Sequence, residues 1–178
     1  IKKHYRRQAT IVYPGVDIKK FCLPVKKLTN KSFLLVSRLV AYKKTELAIQ
    51  AFNQLKLPLR IVGTGPELDH LKKIVGSTIK FLGSIQDQQL VGEYQNCLAL
   101  IVPQEEDFGL TPIEAQACGK PVIAYGRGGA LETVIDKQTG SFFARQTVDC
   151  LTKAVKDFNP KQYSAQACRQ NTQGFSVD

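Results

Sequence analysis

The chain has 178 residues, 43% of them apolar, and a formal net charge of +10. That length suits one domain with a full core, and the apolar share is ordinary for a globular chain. The charge leaves three partner classes: nucleic acid, an anionic membrane surface or a phosphorylated small molecule. The basic residues come as short pairs such as Lys26-Lys27 and Lys72-Lys73, with no long basic block among aromatics, which argues against single-strand nucleic-acid binding.

Residues 1–30 are irregular and basic, with Pro14-Gly15 and Pro24, and read as a linker leading into a domain at 31–178. One short strand is expected at 10–13. Regular alternation then begins. Residues 32–37 (SFLLVS) read as a strand, and 43–55 as a helix with Leu47, Ala48, Ala51, Phe52 and Leu55 on one face. A strand at 59–62 stops at Gly63-Thr64-Gly65-Pro66. A helix at 67–75 and a strand at 79–82 follow, the latter ending at Gly83. A helix is expected at 87–96, a strand at 98–102, a helix at 111–118 stopped by Gly119, and a strand at 122–125. A short helix from about 131, a strand at 140–144, and helices at 148–157 and 161–172 complete the chain.

Strands that are apolar throughout and alternate with helices imply a parallel sheet covered on both faces, an α/β doubly wound, Rossmann-like domain. Ligands in such sheets bind beyond the carboxyl ends of the strands. Functional residues are therefore expected at 37–44, 63–66, 83–87, 103–114 and 126–132.

Several chemistries are excluded. Neither histidine, His4 nor His70, lies at a strand end, so a Ser/His or Cys/His nucleophile is not expected. Residues 63–68 supply only two glycines of a G-x-G-x-x-G, with Pro66 in the way, and no P-loop motif occurs. No Asp-x-Asp pair offers a metal–diphosphate site. The five cysteines include no C-x-x-C pair, so a zinc ribbon is not expected and a reducing compartment is. Cys97 and Cys118 read as small core residues. The lack of methionine and the start at Ile1 read as a piece cut from a longer protein.

The richest stretch is EEDFGLTPIEAQACGKPVIA at 105–124. Thr111-Pro112-Ile113-Glu114 has the form of a helix start with a capping box, which by itself would explain Glu114. The acids Glu105, Glu106 and Asp107, however, stand together at the end of a buried strand and face a helix N-terminus. Free backbone N–H groups at Phe108, Gly109, Leu110 and Thr111 would attract an anion. Arg38 at the end of the 32–37 strand and Lys43 at the start of the next helix supply cations. Anion cradle, cations and hydroxyl-binding carboxylates together suit a sugar phosphate or nucleotide sugar.

With these residues in view, Glu106-x7-Glu114 resembles the E-x7-E signature of retaining glycosyltransferases of family 4, which have the GT-B fold. SRLVAYKK, IVGTGPE, IKFLGSI, GGALETVIDKQTG and YPGVD resemble further segments of that family, in the same order. Ser37 and Lys44 stand where the family often has glycine. The resemblance implies a donor-binding half of a two-domain enzyme, preceded by an acceptor domain. It implies that Arg38 and Lys43 neutralise a diphosphate, Glu114 holds ribose hydroxyls, and Glu106 holds sugar hydroxyls without acting as a nucleophile. It implies that Phe108 to Thr111 contact sugar and diphosphate through backbone N–H groups and that the turn from Gly83 to Ile85 meets the base. Gly63 and Gly65 would let the backbone pass close to the nucleotide, and Glu132 would fix a local turn. No metal and no cofactor are implied. The wording of 105–124 favours mannosyltransferases of surface-polysaccharide assembly, hence GDP-mannose, with a UDP-sugar as the alternative donor. A noncatalytic nucleotide-sugar-binding module and a nucleic-acid binder are the rivals from other classes. The expected location is the cytoplasm, with the basic charge holding the protein at the inner face of a membrane.

Overall fold

The computed structural model describes residues 2–10, 12–24 and 32–177. Six strands form one parallel sheet: β1 (Phe33–Val36), β2 (Leu59–Val62), β3 (Ile79–Gly83), β4 (Leu100–Val102), β5 (Val122–Tyr125) and β6 (Gly140–Phe143), in the order β3-β2-β1-β4-β5-β6. The helices are α1 (Lys2–Tyr5), α2 (Thr45–Leu55), α3 (Leu68–Ile74), α4 (Asp87–Asn96), α5 (Leu110–Ala117), α6 (Ala130–Thr133), α7 (Val148–Asp157) and α8 (Ala165–Asn171).

Strand side chains alternate between two cores, as period two requires. Phe33 and Leu35 of β1, Leu59 and Ile61 of β2, Ile101 of β4 and Ile123 of β5 pack with Ala48, Ile49 and Phe52 of α2 and Leu151 and Val155 of α7. The opposite face carries Leu34, Val62, Leu100, Val102, Val122 and Ala124, which pack with Tyr94 of α4 and Ile113 and Ala117 of α5. Both faces are buried, which is why the strands lack the polar alternation of a half-exposed sheet. The topology changes direction between β1 and β4, the central neighbours, so their exits open a crevice there.

Three local expectations fail for physical reasons. No strand forms among the described residues of 10–13: Val12 is 87% exposed and only Val16 pairs, with Ser176, so β-branched propensity had no neighbouring strand to join. Val16 and Phe21 are themselves buried in the second core, and Arg169 donates to the carbonyls of Ile18, Phe21 and Ala117. The helix expected at 161–172 breaks into a 3-10 turn, Pro160–Gln162, and α8. Asn159 caps the first and Ser164 the second, each side chain accepting a backbone N–H. The helix expected from Lys43 begins at Thr45, because Lys44 takes a left-handed conformation (φ 54°) after a 3-10 turn over Ala41–Lys43.

Cys97, Cys118 and Cys168 are buried, and burial pushes each thiol up to about 12. They are protonated core residues rather than nucleophiles.

Candidate functional site

The exits of β1 and β2 lie directly on one another. Leu39 N donates to Thr64 O (2.9 Å) and Glu67 N to Leu39 O (3.1 Å). A Cβ on Gly63, whose φ is 131°, would overlap the Ser37 carbonyl oxygen, and one on Gly65 would overlap that of Leu39. These two glycines therefore have a structural reason within the chain: they seat the loop that carries Arg38. Arg38 is exposed at the tip, and the 3-10 turn that follows turns Lys43 inward to partial burial.

Across the crevice, β4 runs out through Pro103 and Gln104 to Glu106. Lys43 Nζ lies 2.5 and 2.6 Å from the two Glu106 carboxylate oxygens. Their side chains are 15% and 21% exposed, so the pair is partly shielded from water and salt. Gln104, buried at 3% exposure, donates from Nε2 to Glu106 Oε1 at 2.6 Å. A glycine pair fixes this loop from behind. Gly129 N donates to Glu106 O (2.7 Å), and Glu106 bridges Gly128 in parallel. A Cβ on Gly128 would overlap Glu106 O, and one on Gly129 would overlap the Phe108 backbone.

The start of α5 differs from expectation. Gly109, at φ 89°, is the N-cap residue, so the helix begins one residue earlier, at Leu110. Pro112 is still in the first turn, where its missing N–H costs nothing. Thr111 is then inside the helix and makes no capping box with Glu114. Glu114 instead accepts the Tyr94 hydroxyl at 2.6 Å.

Arg38, Lys43, Glu106 and the stretch from Phe108 to Thr111 line one hollow of about 480 Å³. The remaining sequence-predicted residues, Glu114, Gly63, Gly65, Gly83 and Ile85, are not part of its lining. Gly63 N donates to Gly83 O (2.8 Å), which links the β2 and β3 exits. Gly83 has φ 69° and open space around it, while the Ile85 side chain packs on the second core.

Sequence reading missed several residues around the site. Gln104 and Tyr94 are the polar partners that orient Glu106 and Glu114. A glutamine just after a strand-ending proline was the available signal for the first; Tyr94 had none beyond its place on α4. Tyr13 stacks on Phe108 (centroids 5.2 Å apart, planes at 21°), and Phe175 meets both rings edge-on. The Glu132 carboxylate, expected to fix a turn, lies near the Tyr13 hydroxyl and raises that phenol above its ordinary value. Lys20 pairs with Asp87 at 2.5 Å, and both are electrostatic neighbours of Glu114.

Burial pushes the Glu114 carboxyl above its ordinary value. The Tyr94 hydrogen bond and Lys20 oppose the shift, and Asp87 adds to it. Burial also holds the Tyr94 phenol well above its usual range, so Tyr94 remains the donor. The sign follows from linkage. Between the unfolded and the raised folded value of Glu114 the native state binds more protons, so stability falls as pH rises through that window. Above it the cost of the buried charge is fully present. Glu114→Gln is therefore expected to raise the neutral-pH melting temperature, and the gain should vanish at acid pH; calorimetric melts across pH check this.

The site thus brings cations and a helix N-terminus together at a switch point of a doubly wound sheet, an arrangement electrostatically suited to an anion. The model of the family "Glycosyl transferases group 1" matches residues 22–175, so the chain belongs to that family. Among similar curated proteins, an alpha-1,3/1,6-mannosyltransferase ALG2 from Dictyostelium discoideum is 27% identical over 184 residues, covering 78% of this chain and 44% of the relative. A GDP-mannose-dependent alpha-(1-6)-phosphatidylinositol monomannoside mannosyltransferase from Mycolicibacterium smegmatis is 32% identical over 150 residues, covering 73% of this chain and 39% of the relative. Sucrose-phosphate synthase from Thermosynechococcus elongatus superposes with a TM-score of 0.81 at 27% identity, over 91% of this chain and 47% of that one. The Anabaena Alr3699/HepE structure, determined in complex with UDP, superposes with a TM-score of 0.79 at 23% identity, over 94% of this chain and 54% of that one. The chain spans less than half the length of the two curated relatives. The doubly wound fold matches that of the solved structures, as the sequence implied.

Proposed function

We propose that the chain is the donor-binding half of a retaining glycosyltransferase that moves a hexose, mannose from GDP-mannose, to a saccharide or lipid-linked acceptor. The observation that carries this reading is the opposition across one hollow of Arg38 and Lys43 on one side and Glu106 with the α5 N-terminus on the other. Two mannosyltransferase relatives, one of them named as GDP-mannose-dependent, support the choice of donor.

In this reading the diphosphate lies against Arg38, Lys43 and the first turn of α5. As the sugar–phosphate bond breaks, negative charge grows on the leaving diphosphate, and fixed cations with backbone N–H groups stabilise it. The leaving phosphate helps deprotonate the acceptor on the same face, so Glu106 orients sugar hydroxyls and is not a nucleophile. Glu114, steadied by Tyr94, accepts the ribose hydroxyls. Phe108, Gly109, Leu110 and Thr111 offer N–H groups to sugar and diphosphate, and the turn from Gly83 to Ile85 meets the base. Gly63 and Gly65 serve by seating the Arg38 loop. No metal takes part, because the fixed cations occupy its role. A preceding domain supplies the acceptor site, so this chain alone is expected to bind donor without turning it over. The protein acts in the cytoplasm. No described helix is long and apolar enough to cross a membrane. The +10 charge would hold the enzyme at an anionic inner surface, and failure to sediment with anionic liposomes at low salt would remove that part.

Calorimetric titration with GDP-mannose, GDP, UDP-glucose and UDP tests the donor. GDP-mannose is expected to bind more tightly than UDP-glucose, and both sugar donors more tightly at pH 8 than near the raised Glu114 value, since only the carboxylate accepts two hydroxyls. A preference for the uridine pair would reassign the donor. Salt-dependent RNA or DNA binding indifferent to all four would favour the nucleic-acid rival.

A further inference from the structure

Glu106 is more fully occupied than a sugar-binding carboxylate can be. An ionised carboxylate offers about four lone-pair sites. Lys43 faces both oxygens, at 2.5 and 2.6 Å, and Gln104 takes a further position on Oε1. About one site is left, too few for a pair of sugar hydroxyls. Lys43 has the complementary problem: of its three N–H donors two are directed at Glu106, so it cannot also meet a diphosphate through them. Both conflicts vanish together if Lys43 changes partner.

Resting on the donor-site reading above, we propose that Lys43 and Glu106 form a donor-gated pair. Lys43 leaves Glu106 for the diphosphate of the incoming donor, and Gln104 holds the released carboxylate in place for the sugar. Gln104 is thus a positioning residue that acts through Glu106. Three features fit it for that work. Its side chain is buried, with 3% exposure. Its backbone neighbour Pro103 is pinned by Gln146, whose Nε2 donates to Pro103 O at 2.9 Å. Its Oε1 is buried with no hydrogen-bond partner among the described residues. An orphaned buried carbonyl is costly, so an apolar residue would suit folding better at this position. Glutamine there makes sense for the bond its other end gives to Glu106.

The exchange orders the chemistry. A nucleoside diphosphate without sugar must break the ion pair and gains nothing from the freed Glu106. A nucleotide sugar breaks the same pair and uses both halves. The free protein therefore discriminates against the spent nucleotide, and loss of the sugar lets Glu106 recapture Lys43 and help expel the diphosphate.

Titration of the unaltered chain, Glu106→Gln and Gln104→Leu with GDP and GDP-mannose, and with UDP and UDP-glucose in parallel, tests the exchange. Glu106→Gln removes the charge that competes for Lys43, so the nucleoside diphosphate is expected to bind about fivefold tighter while the preference for the sugar-bearing form collapses. Gln104→Leu should melt at the same temperature or higher, bind the diphosphate within about twofold of the unaltered chain, and bind the nucleotide sugar about tenfold more weakly. Unchanged or weaker diphosphate binding by Glu106→Gln would overturn the exchange and leave the donor site standing. A Gln104→Leu protein that melts earlier and weakens both ligands alike would make Gln104 merely structural. Failure of the unaltered chain to bind any of the four would overturn the donor-site reading and the exchange together.

Discussion

Gly129→Ala is expected to lower stability by about 2 kcal/mol and to weaken donor binding in the same protein. The backbone of Gly129 is ordinary for any residue, with φ −61°, so conformational strain is not the cause. The cause is contact: the added methyl would overlap the Phe108 backbone, in a place where the Gly129 N–H already holds the Glu106 carbonyl. Backbone cannot swing aside as a long side chain can, so the 106–109 loop must shift as a unit. That shift moves Glu106 away from Lys43 and changes where α5 begins. Gly92→Ala is the control. Nothing lies near the position of its Cβ, and it sits inside α4, so the substitution should stabilise by roughly 1 kcal/mol and leave binding alone. Thermal melts and titration of the two variants side by side measure both effects.

Lys43→Ala should be the most damaging change in the hollow. Loss of a charge-assisted contact to a diphosphate is expected to weaken nucleotide binding about a hundredfold, roughly 2.7 kcal/mol. It also leaves Glu106, whose side chain is only 21% exposed, without its cation, which should cost about 1–2 kcal/mol of stability. The two effects separate in the double variant Lys43→Ala with Glu106→Gln: removing the orphaned charge should restore the melting temperature without restoring affinity. If the double variant regained affinity, Lys43 would have been acting only as a counterion to Glu106.

The sheet was the most legible part of the chain. FLLV and VIAY are short apolar runs with a stop close behind, LRIV departs from that only at Arg60, and a strand buried on both faces needs little else to be read. Elements decided by tertiary partners were less legible. The described residues of 10–13 have strand propensity but join no edge. The start of α5 turned on one residue: Gly109 can take a positive φ, and that moves Glu114 out of capping reach and under Tyr94. In the site, the charged residues were visible because strand ends and charge are both local signals. That Lys43 and Glu106 are each other's partner was not visible, since they are 63 positions apart and nothing along the chain says which strand exits adjoin. Gln104 and Tyr94 were hidden for the same reason. The paired glycines at 63 and 65 suggest, by sequence, room for a ligand; the overlaps the structure reveals are with the chain's own Ser37 and Leu39.

The most direct measurement is a crystal structure of this chain with GDP bound. The diphosphate is expected in the hollow between Arg38, Lys43 and the first turn of α5, with Lys43 turned from Glu106 toward it and the ribose hydroxyls on Glu114. A nucleotide seated instead in the separate hollow of about 450 Å³ between α2, α3 and the start of α7, with the Lys43–Glu106 pair intact, would contradict this placement of the donor site.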